Sequence, residues 1–271
     1  MTAVPLPLRS VSQINQYLRC PGAYKLARID KVWARPAAWL PQGTAFHSVA
    51  ETYENALADG RQMTLEELKA LFAEEYSAGI NKMCETTPNF EFWFHSGPYN
   101  GERDIERRFA VGIEQVEKFF AWRNDKGQEV WVTPDGTPAV ELDFKIELDG
   151  ILVRGFIDAV VVVDGELRVR DYKTGAKPGD DFQLGVYALA IAMTYGVPAP
   201  TTGDYYMAGK SGKKAALTAP YDLTGWTRDE ITARFREVED LISAGQFDPL
   251  PERDKCAFCD VAYSCRVFRG P

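Results

Sequence analysis

The stretch GFIDAVVVVDGELRVRDYKTG, from Gly155 to Gly175, decides the fold of this chain. Ile157 to Val163 is an almost continuous apolar run, which is typical of a strand covered on both faces. The Asp-Gly pair at 164–165 is a strong hairpin signal, and the segment after it alternates in polarity as a second strand does. The sequence therefore predicts a β-hairpin in which Asp158 lies beside Asp171.

A second pattern in the hairpin concerns Asp171 and Lys173, which are two residues apart and so point to the same face of a strand. Paired carboxylates can hold Mg²⁺ or Mn²⁺, because these hard ions prefer oxygen ligands. A nearby lysine can position water or stabilise the anionic transition state of phosphodiester hydrolysis. The alternative is a structural ion pair, which is disfavoured because an unpaired Asp158 in an apolar strand is expensive.

Length and composition are those of a globular protein with a substantial core: 271 residues, 45% hydrophobic and 26% charged. No apolar run approaches the roughly 20 residues that a membrane span requires. The N-terminal MTAVPLPLRSVSQ lacks the basic stretch and long apolar core of a secretory signal. We therefore expect a cytoplasmic protein with no membrane partner.

The charge distribution is uneven. A net charge of −8 argues against a general nucleic-acid binder, yet six basic residues face one acidic residue in the first 35. The segment GKSGKK, residues 209–214, adds a second basic loop. Its GKS is similar to a phosphate-binding loop, but five residues separate Gly203 from Gly209 where that pattern demands four. We expect Lys210, Lys213 and Lys214 to contact backbone phosphates or to keep a loop soluble.

Helical periodicity dominates the chain before the hairpin. It predicts helices over residues 12–30 (with Ser12 as the N-cap), 43–60, 64–83 and 104–123. Thr64 opens a capping box. The segment 84–103 is an aromatic loop whose rings either pack locally or stack unpaired bases: Phe90, Phe92, Trp93, Phe94 and Tyr99.

The period changes to two at residue 138. The segment AVELDFKIEL alternates in polarity and is joined to the hairpin by an Asp-Gly turn at 149–150, which predicts a three-stranded antiparallel meander. A helix over 180–196, a strand over 202–209 and a helix over 227–245 follow. The order of elements predicts an α/β core with an N-terminal helical elaboration.

An ordered set of motifs carries a family resemblance. Gly155-x-x-Asp158, Asp171-x-Lys173 and Gln183-x-x-x-Tyr187, preceded by His47 in GTAFHSVAE, resemble the PD-(D/E)XK nuclease superfamily. They are most similar to its RecB-like branch, which includes CRISPR-associated iron–sulfur exonucleases and the nuclease domains of helicase–nuclease complexes. The resemblance implies a restriction-endonuclease-like fold with a mixed central sheet flanked by helices. It implies a single nuclease domain: a mainly helical part (1–137), the catalytic sheet core (138–225), and a helix with a Cys-rich tail (226–271).

The resemblance also implies roles. Asp158 and Asp171 would ligate the metal with the Tyr172 carbonyl and the His47 imidazole, although an isolated helical histidine can also be structural. Lys173 would activate or position water. Gln183 and Tyr187 would hold DNA or brace the site. Glu51 and Glu141 are weaker candidates for supporting contacts, and the proline that often precedes the first aspartate is absent.

Four of the five cysteines form the remaining motif. In Cys256-x₂-Cys259-x₅-Cys265 three thiolates can reach one metal centre, and the resemblance implies Cys20 as the fourth ligand of a 4Fe–4S cluster closing the tail onto the N-terminal region. The alternatives are a Zn²⁺ site and buried free thiols. Cys84 lies outside the pattern, as a plain thiol.

Taken together, these observations predict a Mg²⁺- or Mn²⁺-dependent DNA exonuclease that acts on single-stranded ends. Its setting would be recombination or repair, CRISPR adaptation or phage DNA metabolism, with protein partners possible in a complex. The alternatives are a non-cutting subunit that binds DNA ends and a sequence-specific endonuclease of the same superfamily.

Overall fold

The computed structural model describes residues 5–268. Residues 1–4 of the N-terminal segment and residues 269–271 of the predicted tail lie outside this range. The chain divides into two compact units. Unit 1 combines the described parts of Met1–Pro36 and Thr227–Pro271 with Phe144–Gly155, and unit 2 combines Ala37–Asp143 with Phe156–Trp226. The single nuclease domain therefore stays a prediction.

The described residues follow the predicted order of helices, a three-stranded meander, a helix, a strand and a helix, with four two-residue strands and two short helices in addition. The helices are α1 (Val11–Arg19), α2 (Pro21–Tyr24), α3 (Trp39–Ala58), α4 (Leu65–Thr86), α5 (Gly101–Lys126), α6 (Asp181–Tyr195), α7 (Arg228–Ser243) and α8 (Arg253–Ala257). The strands are β1 (Leu8–Arg9), β2 (Glu129–Val130), β3 (Val140–Leu148), β4 (Ile151–Val163), β5 (Glu166–Lys173), β6 (Thr202–Met207), β7 (Ala216–Leu217) and β8 (Tyr221–Asp222). Among these helices, none is long and apolar enough to cross a membrane.

The sheet of unit 2 is mixed, as predicted. β5 runs antiparallel to β4 and parallel to β6, and β7 and β8 pair antiparallel with β6. The predicted hairpin turns at Asp164-Gly165, where both residues have positive φ (54° and 82°) as a two-residue turn of this kind requires. The sequence prediction of an α/β core with a meander is confirmed by the pairing of β3 with β4 and of β4 with β5.

One aromatic side chain, Phe119 of α5, links the helical layer of unit 2 to its sheet. Its ring lies edge-on to Phe46 of α3 at 5.7 Å, to Tyr172 of β5 at 5.5 Å and to Tyr206 of β6 at 5.6 Å. All four residues are almost fully buried, and each such side chain contributes about 1.5–3 kcal/mol by leaving water. This packing fixes α3 against the sheet, and α3 carries His47.

The first predicted helix is wrong in its extent. α1 is capped by Ser10, whose Oγ accepts from the Gln13 N–H at 3.3 Å, and Ser12 lies inside it. The helix ends at Arg19, because Cys20 is extended (φ −166°, ψ 106°) before a short α2 and a π-helical turn over Lys25–Ile29. Pro21 disfavours a helical conformation at the residue before it. The break at Cys20 therefore has a local cause.

The other helices differ mainly at their ends. α3 begins at Trp39, four residues ahead of the predicted Gly43, with Pro41 in the first turn where a missing N–H costs little. The capping box at Thr64 is confirmed: Glu67 N–H donates to its Oγ1 at 3.2 Å, and its own N–H donates to Glu67 Oε2 at 2.7 Å. The segment 84–103 includes the end of α4 and a 3₁₀ turn over Phe90–Phe92.

Candidate active site

The centre of the site lies where the hairpin strands separate. The paired register of β4 and β5 runs from Val163–Glu166 to Ala159–Arg170. Beyond it, the Tyr172 N–H donates to Asp158 Oδ2 at 2.6 Å. Because a strand residue directs its N–H and C=O to the same side, the Tyr172 carbonyl also faces the gap that contains the Asp158 carboxylate.

Three side chains from three elements converge on this gap. His47 Nδ1 of α3 lies 3.4 Å from Asp158 Oδ2 and 3.5 Å from Glu141 Oε1 of β3. A ligand atom of each of these three side chains lies within 4.8 Å of a ligand atom of the other two. Within residues 5–268, no other group of three histidine, cysteine or acidic residues is this close together. An imidazole and two carboxylates at this spacing form a donor set for a single divalent cation.

The second aspartate and the lysine lie on the same face of β5, as predicted. Lys173 Nζ is 2.6 Å from Asp171 Oδ2, and Gln183 Nε2 of α6 donates to Asp171 Oδ1 at 2.8 Å and to the Tyr187 hydroxyl at 2.7 Å. Asp171 Oδ2 is buried, and its partner is the Lys173 ammonium. All the motif residues on β5 and α6 are thus brought together around the Asp171 carboxylate.

The electrostatics of this cluster are strongly perturbed. Burial, and then the charge of Asp158, raise the pKa of Asp171 to about 7, against the opposing effects of Lys173 and His47. Burial lowers the pKa of His47, but Asp158, Glu141 and Asp171 outweigh it and raise the pKa to about 10. The carboxylates therefore draw positive charge into the site, which is what a cation-binding site does. The residues present fit a divalent metal ion.

Glu141 is the member of the cluster that sequence analysis named only as a weak candidate. It occupies a half-buried position in the alternating pattern of β3 and so reads as an ordinary solvent-facing residue. Its φ of +45° is unusual for a residue with a side chain and is found where the surroundings impose it. Glu51, one turn beyond His47, is exposed, and its pKa is raised by partial burial and by Glu141; its role stays a prediction.

Two buried networks that sequence analysis missed hold the end of β5. The Glu54 carboxylate of α3 accepts hydrogen bonds from the Arg123 guanidinium at 2.8 Å and from the Tyr172 hydroxyl at 3.2 Å. Gln115 of α5 donates to the carbonyls of Thr174, at 3.1 Å, and Gly209, at 2.8 Å. These contacts fix the main chain on either side of Lys173. Their sequence signal is weak, because a polar residue on an amphipathic helix reads as exposed.

The aromatic loop is only partly available to a ligand. Trp93 and Phe94 are buried at 2% and 6% exposure, and Trp93 Nε1 donates to the Thr87 carbonyl at 2.8 Å. The prediction that rings of this loop stack unpaired bases is therefore wrong for these two, which pack locally as the alternative prediction had it. Phe92 and Tyr99 remain exposed. The GKS segment lies in the turn between β6 and β7, with no helix after it as a phosphate-binding loop would need.

The four cysteines of the second motif line one small apolar cavity in unit 1. Arg19 and Lys255 each donate from the side chain to the other's carbonyl at 3.1 Å, which brings the adjacent Cys20 and Cys256 together. Leu250 N–H donates to Cys20 Sγ at 3.4 Å, and burial raises the pKa of Cys259. Cys84, on α4, instead packs half-buried against the core of unit 2.

The sulfur spacing bears on the kind of metal centre. Sulfurs around one tetrahedral Zn²⁺ lie about 3.8 Å apart, from Zn–S bonds of about 2.3 Å. In residues 5–268 no three cysteine sulfurs lie within 4.8 Å of one another. Whether these cysteines hold a 4Fe–4S cluster or Zn²⁺ stays a prediction.

A mixed sheet that carries paired aspartates and a lysine at a hairpin is the restriction-endonuclease-like fold. The chain belongs to the PD-(D/E)XK nuclease superfamily, whose family model matches residues 9–266. The predicted superfamily is thereby confirmed, and the match covers both the hairpin and the cysteines.

Phage proteins are among the relatives of this chain. It is 69% identical over 287 residues to the Gene 69 protein of Mycobacterium phage L5, covering 99% of each chain. It is 71% identical over 269 residues to the Gene 69 protein of Mycobacterium phage D29, covering 99% of this chain and 100% of that one. A crystal structure from Eubacterium rectale, provisionally described as an exonuclease, matches 97% of this chain and 89% of its own with 13% identity and a TM-score of 0.42.

Proposed function

We propose that this chain is a metal-dependent deoxyribonuclease of the RecB-like branch that degrades DNA from single-stranded ends. The observation that carries the proposal is the convergence of His47, Glu141 and Asp158 within 4.8 Å, beside Asp171 and Lys173 on the same hairpin. A purely structural copy of the fold has no need of all five side chains. Membership of the nuclease superfamily supports the same reaction class.

The metal site would use His47, Glu141 and Asp158 as side-chain ligands. The Asp171 carboxylate, buried and ion-paired with Lys173, and the Tyr172 carbonyl, which faces Asp158, would complete it. A bound Mg²⁺ or Mn²⁺ supplies charge to polarise the phosphate and lowers the pKa of water. Imidazole is a softer ligand than carboxylate, so His47 favours Mn²⁺ over Mg²⁺ at this site.

The remaining residues would position the reacting groups. Lys173, with its side chain 29% exposed, can hold the attacking water or the developing negative charge on the phosphate while Asp171 fixes its ammonium at 2.6 Å. Gln183 holds Asp171 in turn and is itself held by Tyr187. The arrangement is pre-formed, so little reorganisation is required when DNA binds.

An exposed aromatic side chain favours single strands over duplex. Phe156 is 58% exposed and precedes Asp158 by two residues on β4, so both side chains lie on the same face of the strand. A ring in this position can stack an unpaired base next to the scissile phosphate, and such stacking contributes about 1–3 kcal/mol per base. A base inside a duplex has no free face to offer.

We further propose that Cys20, Cys256, Cys259 and Cys265 hold a 4Fe–4S cluster. The apolar cavity that all four cysteines line supports a common metal centre there. The cluster would join the N-terminal and C-terminal segments of unit 1 through ligands more than two hundred residues apart in sequence. In this role it is structural and lies outside the reaction.

The phage origin of the two named relatives favours phage DNA metabolism as the biological setting, with recombination, repair and CRISPR adaptation as wider alternatives. Such a role places the protein in the cytoplasm of the infected cell. Proteins that unwind or recombine DNA would supply the single-stranded ends, and a complex with one of them is consistent with the RecB-like resemblance.

A cleavage time course on end-labelled single-stranded DNA tests the proposal. Protein purified without oxygen is incubated with Mg²⁺, Mn²⁺ or EDTA, alongside Asp171→Asn, which keeps the side-chain shape. We expect metal-dependent loss of full-length DNA in the wild type only, with the label reporting the direction. Binding of DNA ends without cleavage by metal-replete protein would instead identify a non-cutting subunit, and cleavage of a circular single strand would identify an endonuclease.

A further inference from the structure

A basic groove lies between α5 and the loop that joins β6 to β7. Its volume is about 480 Å³, and we call it the basic groove, defined by Lys118, Trp122, Lys126, Gly212, Lys213 and Lys214. Asp125 is the acidic residue of its lining. Four ammonium groups thus surround a space that is open to solvent, in a chain whose net charge is −8. Such a local reversal of charge marks a binding site for an anion.

The loop that carries two of these lysines is held in one conformation. Gly209 has a φ of +76°, and a Cβ at this position would lie 2.8 Å from the Lys213 carbonyl oxygen. The Gly212 N–H donates to Glu114 Oε1 at 2.8 Å, and Lys118 Nζ donates to the Lys210 carbonyl at 2.9 Å. Because the backbone is already fixed on α5, a ligand would not have to order it on binding.

The charges in the groove are not equally available. Lys118 is paired with Glu114 at 2.9 Å and Lys126 lies 3.9 Å from Asp125. Lys213 and Lys214 are exposed, and neither forms an ion pair with any residue in the described range. Lysine ammonium groups of this kind act as point charges that suit phosphate oxygens without requiring a particular base sequence.

The loop of the basic groove is joined to the strand end that carries Lys173. The Ala208 N–H donates to the Lys173 carbonyl at 2.9 Å, so the loop leaves the sheet next to the lysine of the site. Gln115 ties the two together, since its side-chain amide donates to the carbonyls of Thr174 and Gly209. The loop that carries Lys213 and Lys214 is therefore bonded, through Ala208 and Gln115, to the strand end that carries Lys173.

We propose that the basic groove binds the sugar–phosphate backbone of the DNA strand a few nucleotides away from the scissile phosphate, with Lys213 and Lys214 as its principal contacts. The proposal rests on the proposed function for the identity of the polymer. It adds a site that binds backbone phosphates whatever the base sequence. The groove therefore raises the affinity for long strands without changing the rate of the chemical step at Asp158 and Asp171.

The test is the salt dependence of binding for Lys213→Gln/Lys214→Gln. A fluorescein-labelled single-stranded oligothymidylate is titrated in EDTA, so that no cleavage occurs, over a series of NaCl concentrations. Each phosphate contact contributes about −0.7 to the slope of log K against log salt for a single strand. We expect the slope to fall in magnitude by about 1.4 and the affinity to fall about 25-fold at 0.1 M salt.

The matched control is Arg61→Gln/Lys82→Gln, which removes the same charge from exposed positions outside the groove. We expect its slope to equal that of the wild type. Equal slopes for all three proteins, or wild-type protein that binds no oligothymidylate, would overturn the proposal.

A second readout uses a dinucleotide, which is too short to reach from the site into the groove. We expect Lys213→Gln/Lys214→Gln to cleave it as the wild type does, while KM for a long strand rises and kcat does not. Equal losses on both substrates would also overturn the groove. If the wild type cleaves neither substrate but the binding slopes differ as expected, the groove stands and the proposed nuclease function falls.

Discussion

The main-chain N–H of Tyr172 donates a 2.6 Å hydrogen bond to the carboxylate of Asp158 across the gap between β5 and β4. This bond replaces the next rung of the strand ladder, so the two strands remain close without closing the gap. It places one acid, one main-chain carbonyl and the Asp171–Lys173 pair around the same space. The hairpin has room for a candidate active site because its regular pairing stops there.

Lys173→Ala should abolish most of the cleavage. Removing one group that stabilises transition-state charge typically lowers kcat by about 10²–10³, and single-turnover cleavage of single-stranded DNA measures it. Lys177→Ala, in the exposed loop that follows β5, is the matched control and should cleave normally. A Lys173→Ala rate within a few-fold of the wild type would contradict the site assignment.

His47→Ala should weaken Mn²⁺ binding more than Mg²⁺ binding. Imidazole contributes more to the affinity of the softer ion, whereas the remaining carboxylates suit both. Titration of the metal ions into metal-free protein, followed by calorimetry, gives both affinities for each variant. Parallel losses for the two ions would show that His47 is not a ligand and only shapes the site.

The pH dependence of the metal-free protein follows from two raised pKa values. Asp171, near 7, and His47, near 10, both bind protons more tightly in the folded state than their ordinary values of 3.8 and 6.5. Their stabilising effect is therefore complete at low pH and is lost as pH rises through the folded values. We expect the Tm of metal-free protein to fall between pH 6 and pH 9 because of this site.

Metal binding should have the opposite pH dependence. A cation must displace the proton of His47, so affinity rises with pH and protons are released on binding. Calorimetry in buffers of different ionisation enthalpy counts those protons. In His47→Ala both the proton release and the fall in Tm should be smaller, and a wild type that takes up protons would contradict the assigned ligand.

Phe156→Ala should weaken binding of single-stranded DNA while the metal site is retained. The loss of one stacked base corresponds to about 1–3 kcal/mol, measured as binding of an oligothymidylate in EDTA. Phe156→Trp offers a larger ring and should restore or improve binding, and Phe92→Ala is a control at another exposed ring. Wild-type affinity for Phe156→Ala would show that bases do not stack at β4.

Cys259→Ser should lose iron and lower the Tm of anaerobically purified protein, because a ligand is removed from a centre whose binding energy adds to folding energy. Iron analysis and the visible absorption of the cluster measure the first effect. Cys84→Ser, outside the cavity, should leave both properties unchanged. Zinc in place of iron would favour the Cys₄ zinc alternative, and unchanged metal content in Cys259→Ser would exclude that residue as a ligand.

The local features of the fold could be predicted from short stretches of sequence. Asp-Gly pairs adopt the positive φ of a two-residue turn, strand alternation puts Asp171 and Lys173 on one face, and a four-residue helical spacing lets Gln183 reach Tyr187. These rules act within a few residues, so the hairpin and its helix were predictable. The break at Cys20 could also have been predicted, because Pro21 disfavours a helical conformation at the residue before it. The apolar spacing around Cys20 instead favoured a continuous helix.

What only the tertiary structure decided involves residues far apart in the chain. His47 and Glu141 are 94 residues apart, and their contact depends on the packing of α3 against the sheet through Phe46 and Phe119. Glu141 on an alternating strand and Gln115 on an amphipathic helix look like surface residues until that packing encloses them. Trp93 and Phe94 look like exposed loop aromatics until a local core covers them. Sequence periodicity fixes which face a side chain takes, whereas burial and long-range contact are properties of the packed elements.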